Sequence, residues 1–145
     1  MKTSREPDIL LVDDNRDGLL IRKSLLEEAG CRVQVASSGE EGLKILDATH
    51  FDVVITDYRM PGMDGVQLIQ RVRERHPRPH IILLSGFVDP LGLTEENTGA
   101  DAVVPKSSKE AVHLVRWVKR LMKAPPVRKP AASEAAANGR VRAVR

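Results

Sequence analysis

Four short apolar runs constrain the chain most: "ILLV" at 9–12, "VVI" at 53–55, "IILL" at 81–84 and "AVV" at 102–104. Each is continuous rather than alternating, as expected of a strand covered on both faces, and such strands belong to parallel sheets. A fifth run, "CRVQVA" at 31–36, alternates more and reads as an edge strand. Helical patterns lie between the runs. The sequence therefore predicts an α/β fold, a doubly wound five-stranded parallel sheet flanked by five helices.

The helices differ in strength. The first, about 16–28, gathers Leu19, Ile21, Leu25, Leu26 and Ala29 on one broad side, and Gly30 ends it. Ser38 is the expected cap of the second, about 39–48. The third, about 65–75, stacks Leu68, Ile69 and Val72, with His76 at its end before Pro77. The fourth falls in "DPLGLTEENTG", where Pro90, Gly92 and Thr98 oppose helix formation, so a short or irregular element is expected. The fifth, about 108–122, aligns Ala111, Leu114, Val115, Val118 and Met122, with Trp117 on the flank.

Composition narrows the class. A chain of 145 residues has room for one such domain over 7–123, a short N-terminal extension over 1–6 and a tail over 124–145. The tail is rich in Pro and Ala and reads as disordered. It carries Arg128, Lys129, Arg140, Arg142 and Arg145 against Glu134, so the formal net charge of +3 belongs to it. Nucleic-acid binding would rest on this tail alone and is not expected. No apolar run approaches the roughly 20 residues of a membrane helix. A lone cysteine, Cys31, fits a reducing cytoplasm.

The chemistry follows from where the acids sit. "ILLVDD" places Asp13 and Asp14 at the C-terminal end of the first strand, and "VVITD" places Asp57 at the end of the third. In a doubly wound sheet these ends meet at the ligand-binding crevice. Two unit charges 4 Å apart repel by about 1 kcal/mol in water and about 4 at an effective dielectric of 20. Three converging carboxylates therefore call for a hard divalent cation, and Mg²⁺ suits a few carboxylates, retained waters and a phosphate. "IILLSG" adds a hydroxyl, Ser85, and "AVVPK" a cation, Lys106. Together these groups make a phosphoryl-transfer site. The GxxxxGK[ST] loop of P-loop nucleotide enzymes does not occur in the sequence.

The elements "VDD" at 12–14, "DYRMPGMDG" at 57–65, "LLSG" at 83–86 and "GADAVVPK" at 99–106, in this order, resemble the receiver domain of bacterial two-component response regulators. The resemblance implies a flavodoxin-like strand order, 2-1-3-4-5. It implies that Asp57 accepts a phosphoryl group from a phosphohistidine on a sensor histidine kinase or histidine phosphotransfer protein. Asp13, Asp14, Asp57 and the backbone carbonyl of Arg59 would bind Mg²⁺. Lys106 would pair with Asp57 and then with the phosphoryl group, while Ser85 would swing in to hydrogen-bond it. Output would pass through the face of helix 4, strand 5 and helix 5, where Trp117 lies, as in a single-domain regulator acting on a protein effector. Two positions depart from the family: Val103 stands where Tyr or Phe is usual, and Ser107 replaces the proline that commonly follows the lysine. With Ser107 there, a trans bond after Lys106 is expected.

Two other readings start from the same residues. An adaptor of this fold could bind partners without phosphorylation, yet it has no need of mutually repelling acids. A Mg²⁺-dependent phosphohydrolase with an aspartyl nucleophile typically has DxD on one strand and a cap, whereas "TDYR" follows the acid with Tyr58 and Arg59.

Overall fold

The computed structural model describes residues 6–86 and 92–123. Five strands, β1 (Asp8–Val12), β2 (Arg32–Ala36), β3 (Val53–Asp57), β4 (His80–Ser85) and β5 (Ala102–Pro105), form one sheet in the order β2-β1-β3-β4-β5. All pairings are parallel. The helices are α1 (Arg16–Glu28), α2 (Gly39–Ala48), α3 (Gly65–Arg73), α4 (Glu95–Thr98) and α5 (Glu110–Met122). The tail over 124–145 lies outside the described residues.

The strand side chains alternate between two cores, as the period of two requires. Ile9 and Leu11, with Ile55, Ile82 and Leu84, join Leu19 and Leu26 of α1 and Leu114 and Val118 of α5. Leu10 and Val12, with Val54, Ile81 and Leu83, join Leu46 of α2 and Leu68, Ile69 and Val72 of α3. This double coverage is why the runs 9–12, 53–55 and 81–84 within β1, β3 and β4 are apolar without interruption, while β2 at the edge shows an exposed and half-buried alternation.

Local signals set the boundaries. The Ser38 hydroxyl accepts from the Glu41 N–H and starts α2. Asp64 and Gln67 form a reciprocal capping box at the start of α3. That helix ends at Arg73, earlier than its periodicity suggests, and His76 lies exposed beyond it. The fourth helix is a single turn, Glu95–Thr98, as the breakers around it require. The fifth starts at Glu110 rather than 108 and buries Leu114, Val118 and Leu121.

The inward face of α1 differs from the expected stripe. Leu19 and Leu26 are buried, but Ile21 and Leu25 are exposed, 62% and 39%, and so is Ala29. At 3.6 residues per turn Ile21 points about 200° away from Leu19. The residue that lies between Leu19 and Leu26 on the inward face is Arg22. Its guanidinium pairs with Asp13 and with Glu110 at the start of α5. An apolar search passes over such a residue because its charge is satisfied only by tertiary partners.

Candidate functional site

β1 and β3 are neighbours in the sheet, with Val12 in register with Thr56. Their next residues, Asp13 and Asp57, therefore emerge side by side at the carboxyl edge. Carboxylate oxygens of Asp13, Asp14 and Asp57 all lie within 4.8 Å of one another. Asp13 is buried and Asp14 exposed, so the cluster runs from the protein interior to its surface. Asp13 is anchored at the backbone, its N–H donating to the Ala36 carbonyl at 3.1 Å. Its Oδ1 accepts from the Asn15 N–H at 3.0 Å, and Asn15 in turn caps α1.

Asp57 is 6% exposed. Its Oδ1 accepts from the Tyr58 N–H at 2.9 Å and pairs with Lys106 Nζ at 2.7 Å. Among the described residues its Oδ2 takes no partner. Burial raises the Asp57 carboxyl above the usual carboxylate range, and the nearby Asp13 charge adds to this, against the lowering effect of Lys106 and the Tyr58 N–H.

The lysine reaches the acid from the other side of the sheet edge. Ser85 is in register with Pro105, and the Lys106 N–H donates to the Ser85 carbonyl at 2.7 Å. This bond fixes Lys106 and Ser85 relative to each other. The bond from Lys106 to Ser107 is trans, as expected without a proline, and Lys106 still spans the distance to Asp57.

The loop from Tyr58 to Asp64 covers the site's rim. Gly62 has a φ of +76°, the left-handed conformation expected of the glycine in a Pro-Gly turn. Gly65 donates its N–H to the Tyr58 carbonyl at 2.8 Å. A Cβ on Gly65 would lie 2.3 Å from the Asp57 carbonyl oxygen and 2.9 Å from the Tyr58 Cα. Gly65→Ala is therefore expected to push the Asp57–Tyr58 backbone aside and to cost about 1–3 kcal/mol in a urea unfolding measurement.

The structure brings Asp13, Asp14, Asp57, Lys106 and Ser85 to one edge, with Arg59 exposed in the adjoining loop. Val103 and Trp117 lie away from it. Val103 is half-buried in β5, and its backbone N–H donates to Glu95 Oε2 at 2.9 Å, tying α4 to the strand. Trp117 is half-buried on α5, with the Arg120 guanidinium 5.0 Å from its ring centroid. Phe87, two residues past Ser85, lies outside the described residues. Sequence reasoning missed Arg22, whose Nη1 is 2.8 Å from Asp13 Oδ2. The helical register through Leu19 and Leu26 was the signal that marks it.

The donor set suits a hard cation. Among the described residues it offers carboxylate oxygens and no thiolate or imidazole, the ligand chemistry of Mg²⁺ rather than of zinc. A parallel sheet of this order, with carboxylates, a lysine and a hydroxyl at its carboxyl edge, defines a flavodoxin-like fold with an acidic cluster that could hold a metal ion.

The family model of the response regulator receiver domain matches residues 9–118, and the chain belongs to that family. It is 41% identical over 81 residues to the sensor histidine kinase GacS of Pseudomonas protegens, across 53% of this chain and 9% of that protein. It is 34% identical over 114 residues to the transcriptional regulatory protein CpxR of Escherichia coli, across 77% of this chain and 49% of that protein. The chain thus spans half or less of these relatives. Among solved structures, a response regulator receiver domain protein from Clostridium thermocellum is similar with a TM-score of 0.73 and 31% identity, covering 81% of this chain and 94% of that one. The signal receiver domain of a histidine kinase from Syntrophus aciditrophicus gives 0.74 and 32%, covering 81% and 90%. No helix among the described residues is long and apolar enough to cross a membrane.

Proposed function

We propose that the chain is a phosphoacceptor that takes a phosphoryl group onto Asp57 from a phosphohistidine of a sensor histidine kinase or a histidine phosphotransfer protein. The observation that carries this reading is the state of Asp57: buried at a strand end, held through Oδ1 by Lys106, with Oδ2 unpartnered among the described residues. Oδ2 attacks phosphorus, the acyl phosphate bond forms, and the phosphorus–nitrogen bond to the donor imidazole breaks. The imidazole leaves with its electron pair and is protonated.

Lys106 neutralises the carboxylate before transfer and can follow the charge onto a phosphoryl oxygen afterwards. Ser85 supplies a hydroxyl donor to another oxygen. Asp13, Asp14, Asp57 and the Arg59 carbonyl would hold Mg²⁺, which when bound stabilises the spread negative charge of the transferring group. Residues 7–123 form the receiver unit in this reading, with 1–6 and 124–145 as extensions. The α4–β5–α5 face with Trp117 is its output surface toward a protein effector. Signal passes there through the Glu95 link between α4 and β5, since Val103 offers no aromatic ring to rotate.

The test is the intact mass after incubation with Mg²⁺ and acetyl phosphate. One added phosphoryl group is expected, absent after chelation and absent in Asp57→Asn. An adduct that persists in Asp57→Asn would move the acceptor elsewhere. Catalytic turnover of a small phosphate ester, without a stable adduct, would make the chain a phosphohydrolase instead.

A further inference from the structure

We propose that Arg22 is a resident counter-cation of the acidic cluster, a positioning residue that competes with the divalent ion for Asp13 and so sets its affinity. This rests on the reading of Asp13, Asp14 and Asp57 as a metal site. Arg22 occupies the inward face of α1 between two buried leucines, where its side chain is only 12% exposed. A guanidinium this far from water is held there by its acids, because an unpaired buried charge is strongly destabilising.

Arg22 divides itself between two of them. Nη1 lies 2.8 Å from Asp13 Oδ2, while Nε and Nη2 both reach the Glu110 carboxylate. The Asp13 side chain is 1% exposed and its Oδ1 is already engaged by the Asn15 N–H. Both oxygens of Asp13 therefore have partners within the chain.

A bridge meant only to fasten α1 to α5 would need Glu110 alone. The contact with Asp13 reaches further, into the cluster where three carboxylates repel one another. There one fixed positive charge lowers the negative potential that attracts a divalent ion, and it must yield Asp13 at least in part when the ion binds. Glu110 restrains this competition by holding two of the guanidinium nitrogens at the start of α5. Without Glu110, Asp13 is the only acid that pairs with Arg22 among the described residues.

Isothermal titration of the full chain with Mg²⁺ tests the proposal, using the wild type, Arg22→Met, Arg22→Lys and Glu110→Gln. Arg22→Met removes a charge near the cluster and is expected to bind about tenfold more tightly. Arg22→Lys keeps the charge and is expected to stay within about threefold of the wild type. Glu110→Gln is expected to bind about threefold more weakly, as Arg22 turns fully to Asp13. Arg22→Met and Glu110→Gln both break the α1–α5 bridge and should both melt lower. A purely structural bridge would move their metal affinities in the same direction.

Opposite directions support the counter-cation. Unchanged or weaker binding by Arg22→Met overturns it, even if the wild type binds Mg²⁺ and becomes phosphorylated normally. Binding by Arg22→Met alone supports it. No binding by any variant overturns it together with the metal reading.

Discussion

In metal-free buffer, Asp57→Asn is expected to melt at a higher temperature than the wild-type chain at neutral pH. The reason is the cost of keeping Asp57 charged. Burial at the end of β3 raises its carboxyl above the usual range, aided by Asp13 and only partly offset by Lys106. The folded state thus holds the proton at a pH where the unfolded chain, with an ordinary carboxylate near pKa 3.9, has released it. With fewer protons bound to the unfolded state, stability falls as pH rises through that interval. The wild type is most favoured below the ordinary carboxylate value, and its disadvantage is complete above the raised one. The gap between the two proteins should therefore close on acidification. Thermal melts at pH 3.5, 5 and 7.5 check this, and a gap that widens toward acid would overturn it. In the phosphoacceptor reading the same substitution is also expected to abolish phosphoryl uptake, so the variant would separate function from stability at one residue.

Asp101→Ala is expected to produce the largest loss of stability. Asp101 sits just before β5 and receives both arms of Arg78, Nη1 to Oδ2 at 2.9 Å and Nη2 to Oδ1 at 3.1 Å. Its Oδ2 also accepts from the Ile81 N–H at 2.7 Å, and its own N–H donates to the Ile81 carbonyl at 2.8 Å. The Arg78 side chain is only 7% exposed. Truncation strands that guanidinium with the Pro79 carbonyl as its remaining acceptor among the described residues. Breaking a buried pair from one side costs about 3–5 kcal/mol. Asp101→Asn keeps an acceptor for the Ile81 N–H and should lose less. Urea unfolding of both variants measures the difference, and equal losses would show that the charge paired with Arg78, rather than the acceptor for the Ile81 N–H, carries the stabilisation. Because Asp101 fixes the start of β5, its loss also slackens the strand that delivers Lys106 to Asp57.

The positions of Asp13, Asp57, Ser85 and Lys106 were legible because each follows an apolar run, and a parallel sheet gathers the ends of such runs at one edge. The short α4 was legible too, since Pro90, Gly92 and Thr98 disfavour a helix by known local costs. The membership of Ile21 and Leu25 in the buried face of α1 was misread. Apolar character alone cannot separate a core position from an exposed one when the helix carries apolar residues on several sides.

By itself the sequence determined the sheet, its two covered faces and the acids that end its strands, because those follow from periodicities and local turn chemistry. The resemblance already implied that Lys106 pairs with Asp57, and only the tertiary structure showed that Arg22 pairs with Asp13. That Lys106 reaches Asp57 depends on the register of β5 against β4, and that Arg22 reaches Asp13 depends on how α1 rotates onto the sheet. Buried charges are fixed by partners distant in the chain: Arg22 and Glu110 lie 88 residues apart, and no local pattern records that they meet.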